Sequence, residues 1–155
     1  MKGLRYLEFD FMYLDIAERI SDISHAKRRK VACLIVKHDN IISYGYNGTL
    51  RGRNNACEDA DGETKEEVAH AETNALMKAL TSGMPVAGAT MYMTFSPCLP
   101  CAKLIAQSLI SRVVYIDEYS NKDGIIFLKE MSITVNKSEE LYKEYRMKIK
   151  EQANG

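Results

Sequence analysis

Apolar positions along the chain fall into short stretches, each with its own spacing, and these mark out the elements one after another. Phe9, Met12, Tyr13, Ile16, Ala17, Ile20 and Ile23 recur at helical intervals and predict a first helix ending near Ser24. Val31–Val36 is a continuous strand-length apolar run, and Ile41–Tyr46 is a second; Asp39-Asn40 between them supplies turn chemistry, so the pair predicts a hairpin. Asn47 to Lys65 is polar, contains three glycines and has no period. A loop of that length inside a compact domain is usually functional or disordered. The pattern resumes with a helix from about Val68 to Leu80, stopped by Gly83 with Pro85 beyond it. Thr90–Phe95 predicts a strand, and Ser96-Pro97 reads as an N-cap with proline at the first helical position, opening a helix to about Ile110. A strand over Val113–Ile116, a short helix over Gly124–Lys129 and a strand over Ile133–Val135 follow. Leu141, Tyr142, Tyr145 and Ile149 then draw one apolar stripe on a charged C-terminal helix at about 138–150, a solvated surface element or, alternatively, a subunit contact.

Strands that alternate with helices in the second half call for right-handed crossovers and mostly parallel pairing. With one hairpin in front, the expected fold is a three-layer α/β/α sandwich around a mixed five-stranded sheet. Residues 1–155 are expected to form a single domain, since the chain shows no repeat, low-complexity tract or linker.

Composition narrows the function. The 46% hydrophobic and 27% charged shares are those of an ordinary globular chain. Lys plus Arg number 21 and Asp plus Glu number 21, leaving no overall field for a polyanion, so nucleic acid is not the expected partner. No apolar run approaches the roughly 20 residues that cross a bilayer. Arg5, Glu8 and Asp10 break up any signal-peptide core, and the expectation is a cytoplasmic protein (host cytoplasm if viral) with no membrane partner. Four cysteines without an export signal, two of them in a C-x-x-C, favour metal or redox chemistry over a disulfide framework. Cys33, inside an apolar run, reads as a small core residue. Cys57, inside the long loop, reads as a plain thiol, with a second metal ligand as the alternative.

The chemistry concentrates in His70-Ala71-Glu72 and, 28 residues on from His70, Cys98-Leu99-Pro100-Cys101. Two thiolates and an imidazole supply three of the four ligands of tetrahedral zinc. No fourth ligand of matching spacing is evident, which favours a catalytic ion with one position left to water. His70 and Glu72 would diverge in a helix interior and converge only at a helix N-terminus, where both motifs are expected to lie. Two positive helix ends aimed at one point would also stabilise thiolates there. Zinc brings the pKa of bound water to about 7. Glu72 is the ionisable residue left over to carry protons between that water and a leaving amine.

H-x-E followed by P-C-x-x-C is the zinc deaminase signature. At these residues the sequence resembles the cytidine and deoxycytidylate deaminase superfamily, and within it the deoxycytidylate (dCMP) deaminases of phage and eukaryotic type. The strings Ser43-Tyr44-Gly45-Tyr46-Asn47-Gly48-Thr49, His70-Ala71-Glu72-Thr73-Asn74-Ala75 and Ser96-Pro97-Cys98 carry the resemblance, which runs from about Val31 to Val135. It implies one catalytic zinc per chain on His70, Cys98 and Cys101, with Glu72 as proton shuttle. Asn47 would reach the sugar, Tyr119 would border the substrate and the Ala71 backbone would help read the pyrimidine. The family pattern further implies a homohexamer activated by dCTP, with Mg2+ on the triphosphate, and inhibited by dTTP. Gly45, Asn47, Gly48, Arg51 and Arg53 are the effector candidates. A turn that simply requires glycine is the plainer account of Gly45 and Gly48.

A monophosphate substrate needs cations, and two clusters are available. Lys27-Arg28-Arg29-Lys30 precedes the first strand, with Lys27 and Arg28 as phosphate candidates, and Arg51 with Arg53 lies in the long loop. The chain departs from the family at Leu50, where proline often follows N-G-(Ser/Thr), and at Val31-Ala32-Cys33, where relatives read V-G-A. Competing readings are a deaminase of cytidine, deoxycytidine or tRNA adenosine, and a zinc-binding scaffold in which Glu72 is silent.

Overall fold

The computed structural model describes residues 3–154. Five helices and five strands follow in the expected order: α1 (Leu4–Ser21), β1 (Ala32–Lys37), β2 (Asn40–Tyr46), α2 (Ala71–Thr81), β3 (Thr90–Phe95), α3 (Leu99–Gln107), β4 (Arg112–Asp117), α4 (Asp123–Glu130), β5 (Thr134–Lys137) and α5 (Ser138–Ala153). The strands form one mixed sheet in the order β2-β1-β3-β4-β5. β1 runs antiparallel to both β2 and β3, while β3, β4 and β5 are parallel. This is the mixed α/β/α sandwich that the sequence pattern predicts.

Period-two alternation divides the strands between two cores. Cys33, Ile35, Met91, Met93 and Val113 face Ala71, Ala75, Ala102, Ile105 and Leu128 of α2, α3 and α4. Leu34, Val36, Tyr92 and Val114 face Leu7, Leu14, Ala17 and Leu141 of α1 and α5.

Several boundaries move, each for a local reason. The hairpin turn is His38-Asp39, one residue earlier than expected, because both adopt positive φ (50° and 58°) and Lys37 pairs with Asn40. Positive φ at both central positions is what the twist of a two-residue hairpin demands. α1 begins at Leu4 and ends at Ser21, and its buried face runs through Leu7, Asp10, Tyr13, Leu14 and Ala17. Met12 and Ile23, expected inside, are exposed. Asp10 hid this face from a hydrophobic count. Its carboxylate is buried because Arg112 forks onto it, with Nη1 at 2.7 Å and Nη2 at 2.8 Å, and Tyr92 donates its hydroxyl at 2.7 Å.

α2 starts at Ala71 rather than Val68, and α3 starts at Leu99 with Cys98, not Ser96, as its N-cap. Ser96 Oγ instead accepts the Tyr119 N–H at 3.0 Å. α3 stops at Gln107 because Leu109 turns to φ 60°. Gly83 ends α2 as expected, at φ 67°. The segment 47–70 has no regular element but is well tied. Gly48 and Ala69 exchange two backbone hydrogen bonds at 3.1 and 2.9 Å, and Asp59 Oδ1 accepts from the Asp61 and Glu63 amides. Cys57 is buried there among Ala26 and Val68. No described helix is long and apolar enough to cross a membrane.

Candidate active site

The N-terminal end of β1 and the C-terminal ends of β2, β3 and β4 lie along one side of the sheet, so the loops leaving them share a crevice. Ligand sites of open α/β sheets are found at such strand ends. A pocket of about 530 Å3 opens there, lined among others by Arg28, Arg29, Asn47, His70, Glu72 and Tyr119. Its size is ordinary for a small-ligand site.

Two helix N-termini meet at its floor. His70 is the N-cap of α2 and Cys98 the N-cap of α3, both in extended conformation. The three-residue delay in the start of α2 is what puts His70 outside the helix, free to turn toward Cys98. His70 Nδ1 stands 3.5 Å from Cys98 Sγ and 3.4 Å from Cys101 Sγ. Zinc bonds of about 2.3 Å to sulfur and 2.0–2.1 Å to nitrogen, at a tetrahedral angle, separate S from N by about 3.5 Å. The three donor atoms all lie within 4.8 Å of one another and are the one such cluster of His, Cys, Asp and Glu among the described residues. Their spacing and chemistry therefore fit zinc.

The electrostatics support a metal-binding thiolate. The Cys98 thiol is held far below its usual range, chiefly by a hydrogen bond with Cys101 and also by His70, while Cys101 is pushed up by sharing that hydrogen bond. The hydrogen bond to Cys98 in turn raises the His70 imidazole. Glu72, on the first turn of α2, is 4% exposed, and burial raises its carboxyl above the ordinary carboxylate range. A buried carboxyl thus sits beside the three donor atoms.

The other expected site residues are placed unevenly. Asn47, Ala71 and Tyr119 line the pocket. The Asn47 carboxamide is heavily engaged: Oδ1 accepts from Ser24 Oγ at 2.8 Å and from the Val31 N–H at 2.9 Å, and Nδ2 donates to the Arg29 carbonyl at 2.8 Å. Of the phosphate candidates, Arg28 lines the pocket and is also paired with Glu63. Lys27 does not line it, and its backbone N–H donates to Glu58 at 2.7 Å.

Arg29, which nothing in the pattern separates from its basic neighbours, is the better-placed cation. Its guanidinium lies 4.7 Å from the ring centroids of both Phe95 and Tyr119, on the pocket wall. Among the effector candidates, Arg51 and Arg53 lie outside this pocket, with Arg53 paired to Glu67 at 2.9 Å. Gly48 holds the bridge to Ala69, and Gly45 is pressed against the backbone of α2.

Comparison with known proteins agrees with this geometry. Deoxycytidylate deaminase of Enterobacteria phage T4 is 34% identical, over 72% of this chain and 79% of that protein. The Saccharomyces cerevisiae enzyme is also 34% identical, over 87% of this chain and 46% of its own length. The crystal structure of dCMP deaminase from cyanophage S-TIM5, in complex with dCMP and dUMP, superposes with a TM-score of 0.83 at 40% identity, covering 88% of this chain and 98% of that one. Residues 8–117 match the family model of the cytidine and deoxycytidylate deaminase zinc-binding region. With that match spanning most of the chain, and the same mixed sheet carrying a His/Cys/Cys cluster, this chain belongs to the cytidine and deoxycytidylate deaminase family.

Proposed function

We propose that the protein hydrolyses dCMP to dUMP and ammonia, supplying dUMP for thymidylate synthesis. The observation that carries this reading is the meeting of His70, Cys98 and Cys101 beside buried Glu72, in a pocket whose wall presents Arg28 and Arg29. The 40% identity to a phage enzyme solved with dCMP and dUMP supports the same substrate.

His70 Nδ1 and the two thiolates hold one zinc ion, which when bound supplies Lewis-acid activation of water. Glu72 passes one proton of the attacking water to N3 of the pyrimidine as the C4–O bond forms, and the second, from the new C4 hydroxyl, to the amine as the C4–N bond breaks, so that ammonia leaves and the product keeps N3–H and a C4 carbonyl. Burial of Glu72 raises its carboxyl above the ordinary carboxylate range, toward the proton-holding form. The Ala71 N–H, first in α2 and so without an intrahelical acceptor, is available to the pyrimidine carbonyl. Asn47 keeps one Nδ2 hydrogen for the sugar after donating the other to Arg29. Tyr119 borders the sugar and base, its ring tilted against Phe95 at 5.3 Å and its N–H fixed by Ser96. Arg29, with Arg28 beside it, takes the 5′-phosphate. Homohexameric assembly, activation by dCTP with Mg2+ and inhibition by dTTP rest on family resemblance, with Gly45, Gly48, Arg51 and Arg53 nearest the loop that would respond.

The test is ammonia release from dCMP, deoxycytidine, CMP and dCTP, each with and without Mg-dCTP or dTTP. Preferential turnover of dCMP is expected, raised by dCTP and lowered by dTTP. Release from none of the four, by zinc-loaded protein, overturns the reading.

A further inference from the structure

Eight glycines lie among the described residues, and six of them face open space or have nothing within 4 Å where a Cβ would be. The other two, Gly45 and Gly124, are pressed against backbone, and both against a turn that carries metal ligands. A Cβ on Gly124, in the first turn of α4, would overlap the Pro97 carbonyl oxygen and lie 2.9 Å from Pro97 C and 3.0 Å from Cys98 C. A Cβ on Gly45, in β2, would overlap the Ala71 carbonyl oxygen and lie 2.5 Å from the Ala75 N and 3.1 Å from its Cα. Cys33 Sγ sits against the same Ala71 oxygen at 3.3 Å. Neither glycine has positive φ, so space alone, rather than backbone conformation, requires glycine at these two positions.

We infer that Gly45 and Gly124 are positioning residues that set the separation of the two ligand turns, Gly45 backing His70-Ala71-Glu72 and Gly124 backing Pro97-Cys98. The argument rests on the metal reading above. His70 and Cys98 are the N-caps of different helices, so their 3.5 Å approach depends on where those two helices are seated. That distance depends on how closely β2 lets α2 come down and how closely α4 lets the Pro97-Cys98 turn come in. Both obstructions are backbone atoms, which cannot rotate aside as a side chain can. A methyl at either glycine therefore displaces the turn by well over the tolerance of about 0.2 Å in metal–ligand distances. α4 itself has no use for the glycine, since alanine is the better helix former by about 1 kcal/mol.

The test uses Gly124→Ala and Gly45→Ala in the full chain, stripped of metal and titrated with Co2+ under chelator competition. The readouts are metal affinity, the Co2+ ligand-field spectrum and the melting temperature with and without metal. At least a tenfold loss of Co2+ affinity and an altered spectrum are expected, with a larger fall in melting temperature in the metal-bound than in the metal-free protein. Wild-type affinity and spectrum in both variants overturn the inference, as does an equal loss of melting temperature with and without metal. If Gly124→Ala does not fold, Gly45→Ala decides, and failure of both to fold overturns it, because the glycines then serve the fold as a whole. Failure of the wild type to bind Co2+ would instead strike at the metal reading itself.

Discussion

Replacing Arg29 by alanine tests whether the arginine wall of the pocket binds the substrate phosphate. The Arg29 guanidinium is stacked 4.7 Å from the rings of both Phe95 and Tyr119, and its carbonyl is held by Asn47. It is thus preorganised for a planar, paired contact with a phosphate, whereas Arg28 is shared with Glu63. A hydrogen bond to a charged group contributes about 1.5–3 kcal/mol. Arg29 is exposed, however, and exposed ion pairs contribute only about 0.2–1 kcal/mol. The two limits bracket about 1.4 kcal/mol, a tenfold effect. The assay is kcat/KM for dCMP and for deoxycytidine, which lacks the phosphate, in wild type, Arg29→Ala and Arg29→Lys. Arg29→Ala should lower kcat/KM for dCMP about tenfold, mainly through KM, and leave deoxycytidine unchanged. Arg29→Lys should fall between, keeping the charge and losing the planar stack. An equal fall on both substrates would refute the assignment, since Arg29 would then act by propping Tyr119. No fall on either would move the phosphate to Arg28 or elsewhere.

Glu72→Gln should keep its zinc and lose turnover by about 10²- to 10⁴-fold, the usual contribution of a positioned proton carrier; metal analysis beside steady-state ammonia release checks both halves. Chelator-stripped protein should be inactive and melt at lower temperature, and stoichiometric zinc should restore both, as read by calorimetry and activity. A free metal concentration a thousandfold above Kd corresponds to about 4.1 kcal/mol of stabilisation. Asp10→Ala leaves the buried Arg112 charge without its partner and should destabilise by about 3–5 kcal/mol in denaturant titration. The double variant Asp10→Ala/Arg112→Met should recover part of that loss, since the orphaned charge is gone.

Where a signal was carried by spacing within one element, the sequence was readable. The order of ten elements, the existence of the hairpin, the Gly83 stop and the meeting of His70 with Cys98 and Cys101 all belong to that class. Four things were not readable, for distinct reasons. Asp10 lies on the buried face of α1, where only its partner Arg112, distant in sequence, makes a carboxylate tolerable. The helix starts at Ala71 and Leu99 leave His70 and Cys98 as N-caps, because Ser96, the capping residue the sequence offers, turns instead to the Tyr119 amide across the chain. The choice of Arg29 over its basic neighbours depends on Phe95 and Tyr119, which come from two other strand ends. Gly45 and Gly124 owe their small size to backbones that meet them only in the folded chain.

The strand β4 shows why stability and chemistry can be perturbed separately in this fold. Arg112, its first residue, reaches across to Asp10, Tyr6 and Asn136 and locks α1 onto the sheet. Asp117, its last, accepts the Ser96 N–H at 2.8 Å, and Ser96 in turn fixes the Tyr119 amide at the pocket wall. At about 3.3 Å per residue these ends are roughly 16 Å apart along the strand, on a sheet that is covered by different helices on its two faces. Perturbations more than about 7–10 Å apart with no shared partner add without coupling. Asp10→Ala should therefore lower the melting temperature while leaving kcat and KM of the molecules still folded at 20 °C at their wild-type values, and Arg29→Ala should do the converse. A change in KM for dCMP in Asp10→Ala, measured well below its melting transition, would show that α1 and the pocket communicate through β4 after all.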